Sequence, residues 1–150
     1  MNENAWQPVN AVLLRGGGTL QVVGESFHQE ELERIVGGKR EESAELYTVA
    51  VIRREPDNPA DPQALAVEID AQIVGHIGRQ DALAWRPLIE QIENAGAVAL
   101  CAAQIRGGWR RSSGEEGHFG VVLFVGPPEQ ALPRSSQGQK RGLIDRILGS

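Results

Sequence analysis

Apolar and polar residues alternate along most of this chain with the two-residue period of half-buried strands, and only two stretches switch to helical spacing. Leu20–Phe27 reads as a first strand, and Gln29–Val36 suits a short helix halted by Gly37-Gly38. Glu45–Arg54 is apolar on both alternating faces at its centre, as in a strand inside a barrel or sandwich. Leu65, Val67 and Ile69 alternate with Ala66, Glu68 and Asp70; a short Asp70-Ala71 turn then leads into Gln72–Gly78, predicting a hairpin. Within Gln80–Asn94, Ala82, Trp85, Leu88, Ile89 and Ile92 recur at helical spacing, with Pro87 expected to break the helix or to start a second piece. Ala97–Arg106 and Phe119–Val125 read as two closing strands on either side of the polar stretch GGWRRSSGEEGH.

Strands dominate, and the two helices interrupt them instead of alternating with each one. That order favours a small, mainly β (α+β) barrel over a doubly wound α/β sheet. Val49, Val51, Ile52, Leu65, Val67, Ile73, Ile77, Leu100, Val122 and Phe124 are expected to face one core.

The ends differ from the middle. Residues 1–17 read as a lead-in, 18–126 as the barrel domain, and 127–150 as a linker rich in Pro, Ser, Gln and Gly followed by a short amphipathic helix. In that helix Leu143, Ile144, Ile147 and Leu148 share one side, either to dock on the chain's own domain or to bind a partner. Four of the 15 basic residues but only two of the 20 acidic ones lie beyond Gly126, leaving the segment before it at −7 and the tail at +2. An overall charge of −5 argues against a protein that coats a nucleic-acid backbone, so any such site must be local. The single cysteine, Cys101, forms no intrachain disulfide and sits mid-strand among small apolar residues, as a buried small hydrophobe would. With three scattered histidines, no zinc site of the usual kind can be assembled, and no metal or cofactor is expected. The amino-terminal apolar run is far shorter than the ~18 residues of a membrane span and has no cationic flank, so a cytoplasmic protein without membrane contact is expected.

The densest chemistry lies in Arg53–Val67, RREPDNPADPQALAV. Pro56, Pro59 and Pro62 each fix φ, and Asp57, Asn58 and Asp61 can accept backbone hydrogen bonds in Asx turns, so the loop is rigid without regular structure. It serves either as a preorganised binding element or as a strand connection that sets barrel curvature.

Three motifs in register give the chain a resemblance to the HIRAN family: VVGESF at Val22–Phe27, the N-P-x-D loop running into an A-L-A-V strand, and IVGHIGRQDA at Ile73–Ala82. The likeness spans roughly Leu20–Val125, and the Gly107–Trp109 and Gly117–Gly120 elements look like those of bacterial stand-alone members. The resemblance implies an OB-like barrel of about six strands, one short helix after the first strand and a longer one before the last two. It also implies a non-enzymatic module that captures single-stranded DNA, by its 3′ end, in repair or replication, with a helicase or other repair protein in trans as a further partner.

Carried over residue by residue, the resemblance implies that Phe27 stacks a base and that Asp61 accepts the terminal 3′-hydroxyl. Asn58 bonds the terminal base or sugar, or only shapes the turn. His76 and Arg79 meet phosphates. Many members carry Tyr where this chain has Ala60, and Trp109 or Phe119 is the candidate replacement for that ring. The alternative is a protein-interaction module using the barrel face or the terminal helix. No G-x-x-x-x-G-K-(S/T) loop, H-x-x-x-H spacing or comparable ligand cluster occurs, so no catalytic residue is assigned.

Overall fold

The computed structural model describes residues 10–133. The expected lead-in over 1–9 and the expected terminal amphipathic helix lie outside the described residues. The elements follow in the order β1 (Asn10–Leu13), β2 (Leu20–Val23), α1 (Gln29–Val36), β3 (Ala44–Arg54), β4 (Leu65–Ile69), β5 (Gln72–Ile77), α2 (Arg79–Asn94), β6 (Ala97–Gly107) and β7 (Phe119–Phe124), with single 3-10 turns at Glu25–Phe27 and Pro128–Gln130.

The strands lie in the order β6-β3-β4-β5-β2-β7, and β7 pairs back onto β6, so six antiparallel strands close into a barrel. Closure removes the free edges that an open sheet of this size would present. The mainly β barrel with one short and one longer inserted helix is the architecture expected from the sequence. β1 is an addition: it runs parallel to the first half of β6, from Asn10 beside Ala97 to Leu13 beside Leu100. Residues expected to be a lead-in thus form a strand, with Val12 and Leu14 in the core.

Helix α2 lies across one mouth of the barrel, where β3 ends and β6 begins. It is continuous through Pro87, contrary to the expected break. The ring sits on the exposed face, while Ala82, Trp85, Leu88, Ile89 and Ile92 are buried on both sides of it, and that burial outweighs one lost backbone hydrogen bond. Helix α1 buries Leu32 at the opposite mouth, where its Gln29 donates to the Phe119 carbonyl.

The Asp70-Ala71 hairpin is confirmed as a two-residue turn in which both residues take positive φ, 52° and 62°. The first expected strand stops four residues short, because Gly24 adopts φ 78° and turns the chain into the Glu25–Phe27 turn.

Five of the ten expected core residues lie where expected or nearly so. Ile52, Leu65, Val67 and Ile77 are in the core cluster, and Val122 is buried outside it. Val49 is exposed, while Val51, Ile73, Leu100 and Phe124 are half-buried. In β3 and β6 the inward positions belong instead to Ala50, Ala99, Cys101 and Ala103 alongside Ile52 and Ile105. A narrow barrel fills its interior by mixing small and large side chains. Burial pushes the Cys101 thiol up to about 12, the behaviour of an inert packing residue.

The packed body also continues past residue 126. Ala131 is fully buried, and its carbonyl accepts the Arg15 N–H at 2.7 Å.

Candidate nucleic-acid interface

The loop between β3 and β4 holds its shape through its own polar side chains. Asn58 Oδ1 accepts the N–H groups of Ala60 (2.9 Å) and Asp61 (3.1 Å), while its Nδ2 donates to Glu55 Oε1 at 3.2 Å. Of the two roles open for Asn58, its hydrogen bonds perform the turn-shaping one. Asp61 Oδ1 accepts from Gln63 N at 3.0 Å, and its Oδ2 lies 3.8 Å from Arg79 Nε. One carboxylate oxygen therefore caps the turn and the other faces the start of α2.

His76 on β5 joins this loop to the sheet. Its Nε2 lies 2.6 Å from Glu55 Oε1. Burial works against the charge on Glu55, but the hydrogen bonds from His76 and Asn58, with His76 and Arg53 nearby, hold its carboxyl below the ordinary value.

The neighbouring Gly75 is required by packing. A Cβ there would stand 2.4 Å from Val22 Cγ1 and 2.8 Å from the Val23 carbonyl, so only glycine lets β2 cross β5 this closely. That crossing brings Val23 opposite His76 and carries the chain into the Glu25–Phe27 turn, where the His28 ring lies 6.5 Å from that of His76. Glu25 Oε2 accepts from Val121 N at 3.0 Å, and Gln29 bonds both the N–H and the carbonyl of Phe119. The turn is pinned from both sides, yet the Phe27 ring it carries is 85% exposed. The ring therefore contributes nothing to the core.

Asn58, Asp61, His76 and Arg79 are thus joined by direct contacts through the loop and Glu55, and the turn that carries Phe27 borders them through the His28 ring. Arg79 opens α2 with its side chain 85% exposed. Beside it a cleft of about 260 Å³ is lined by Ala60, Asp61, Gln63, Arg79, Leu83 and Arg86.

Two expected site residues do not join them. Phe119 is 2% exposed, an inward position of β7 whose ring packs against Gly108, so it is a core residue and offers no stacking face. Trp109 is half-buried beyond the end of β6, bridged to Arg40, with Gly117 against its indole and the Arg111 guanidinium 4.5 Å from the ring centroid. It lies past the start of β3, whereas the Asp61 loop follows its end, and 11 residues of strand separate the two by roughly 30 Å.

Among the described residues, three arginines that could have contributed to a basic track are tied up by carboxylates. Arg53 pairs with Glu68, Arg54 with Glu93 at 2.7 Å, and Arg110 with Glu116 at 2.6 Å. Lys39 also bonds Glu116, and these two cations hold its carboxyl below the ordinary value. The cation the sequence left unweighted is Arg86: its Nε bonds Glu90 Oε1 at 2.8 Å, and its Nη1 is buried with no hydrogen-bond partner among the described residues. No group of His, Cys, Asp and Glu among the described residues is arranged to hold a metal ion, and no helix among them is long and apolar enough to cross a membrane.

No family model matches the chain, and no curated protein does. Among solved structures it is similar to the HIRAN domain of human HLTF, with 20% identity, a TM-score of 0.34, and coverage of 91% of this chain and 88% of that one.

Proposed function

We propose that the protein is a non-enzymatic module that binds single-stranded DNA at its 3′ end, on the surface formed by Phe27, Asp61 and Arg79. The observation that carries this reading is the pairing of an exposed ring on a pinned turn with a carboxylate oxygen facing a cleft and an exposed arginine. A terminal base stacks on Phe27, a contact worth about 1–3 kcal/mol. Asp61 Oδ2 accepts the terminal 3′-hydroxyl, and Arg79 meets the adjoining phosphate in place of its long contact with Asp61. Asn58, Glu55 and His76 act one step back, by holding the loop that presents Asp61.

This chemistry fits capture of an end better than tracking of a long strand. Arg79 is the one well-exposed cation on the seam, so one or two phosphates are neutralised. The affinity should fall with salt at a log–log slope between about −0.7 and −1.4, set by ~0.7 per contacted phosphate. Titrating a short single strand into isotopically labelled protein tests the placement. Amide shifts are expected at Gly24–His28, Ala60–Gln63 and Gly78–Gln80; shifts confined to other surfaces, or none at all, reject it.

A further inference from the structure

The outer face of β3, β6, β7 and β1 carries an apolar surface that the DNA-end site does not use. The pairing registers place Leu13 beside Leu100, and Val49 beside Ala102 beside Phe124, all with the side chains that point away from the barrel core. Tyr47 leans across the second row to stack on Phe124, with centroids 6.2 Å apart and planes 28° apart, while remaining 71% exposed. Leu13 is 58% exposed at the β1 corner. Two inter-strand gaps across and one row-to-row step along set these side chains within roughly 10 by 7 Å of one another.

We infer that the occupant of this face is the chain's own carboxy-terminal segment, through Leu143, Ile144, Ile147 and Leu148. Three observations point there. First, the described chain leaves the barrel at the right place: Arg15, two residues after Leu13, donates its N–H to Ala131, so Leu132 and Pro133 set off beside that corner. Second, the length suffices. Ten residues separate Pro133 from Leu143; a linker of that length has an average reach of ~17 Å, enough to cross these side chains, and a tether of sufficient length raises the local concentration to about millimolar. Third, the four apolar residues recur at helical spacing, and from Leu143 to Leu148 a helix would rise ~8 Å, comparable with the extent of these side chains. Docking of the tail does not depend on the DNA-end reading.

Tyr47 is the chain's single tyrosine, so the 150-residue chain made with 3-fluorotyrosine gives one fluorine resonance from the edge of the patch. In the Leu143→Asp, Ile147→Asp double variant that resonance is expected to move by more than its linewidth and to gain a larger water-to-D2O shift. In the parent its position is expected to stay constant on dilution. A nitroxide on Ser150→Cys, in a Cys101→Ala background, is expected to broaden the amide signals of Val49, Ala102 and Phe124 independently of concentration. An unmoved resonance or unbroadened amides overturn the inference, and a dilution-dependent resonance overturns it in favour of a second copy of the chain.

Discussion

Glu55 Oε1 and His76 Nε2 stand 2.6 Å apart, and through this contact the β3–β4 loop is fastened to β5. The same carboxylate oxygen receives Asn58 Nδ2, so one residue ties the loop both to the sheet and to its own tip. Glu55 is therefore the residue whose charge state sets how firmly Asp61 is presented.

Its folded-state pKa is depressed, so the unfolded chain binds the proton more tightly in the interval between the two values. The stabilisation is present above the unfolded value and disappears as pH falls through the folded one. Glu55→Gln keeps an oxygen acceptor but removes the charge. It is expected to lower the melting temperature at pH 7, with the gap to the parent closing as pH drops below about 4.5, the ordinary value. Thermal melts from pH 7 to pH 3 check this, and a gap independent of pH contradicts it.

Ala71 holds φ 62° in the hairpin between β4 and β5, a left-handed conformation where a Cβ is crowded. Ala71→Gly relieves that crowding and supplies the residue this turn type favours. Stability is expected to rise by about 0.5–1 kcal/mol, or roughly 2–4 °C in melting temperature. Calorimetry on the single variant reads the change, and a lower melting temperature contradicts it.

Ala131 makes the boundary of the packed body measurable. A chain cut after Pro133 keeps both the buried Ala131 side chain and the acceptor for Arg15 N–H; a chain cut after Pro127 loses both. A buried amide left without its partner costs about 1–3 kcal/mol. The shorter chain is expected to melt ~3–8 °C below the longer one, and equal melting temperatures would place the true boundary at Gly126.

The alternation in β4 and the glycine-stopped α1 were legible because the large apolar residues of each fall on one face or stripe. β3 was not, because Val49 and Val51 on one face and Ala50 and Ile52 on the other are all apolar, and hydrophobicity alone cannot choose a phase. The barrel chose the smaller set in part, since six closed strands leave limited room inside. The same phase question decided Phe119, which points inward with Val121 and Leu123 and so could not be a stacking ring. β1 was missed although Val12 and Leu14 already alternate, because two apolar positions are too few to outweigh the glycine run that follows. At the site, spacing in the loop was enough to mark Asn58 and Asp61. That Arg53 and Arg54 are spent on Glu68 and Glu93 depends on side chains 15 and 39 residues away, beyond any local pattern.

If Asp61 reads a free 3′ end, the direct measurement is affinity for one short single strand ending in either a 3′-hydroxyl or a 3′-phosphate. The hydroxyl gains a charge-assisted hydrogen bond of about 1.5–3 kcal/mol, while the phosphate brings like charge to the same oxygen. Parent protein is expected to prefer the hydroxyl end by at least tenfold. Asp61→Asn retains an oxygen to cap Gln63 and should keep the fold, checked by circular dichroism. It is expected to bind the hydroxyl end more weakly and to lose most of the preference, whereas Phe27→Ala weakens both ends alike. A folded Asp61→Asn protein that discriminates between the two ends as the parent does would contradict the account.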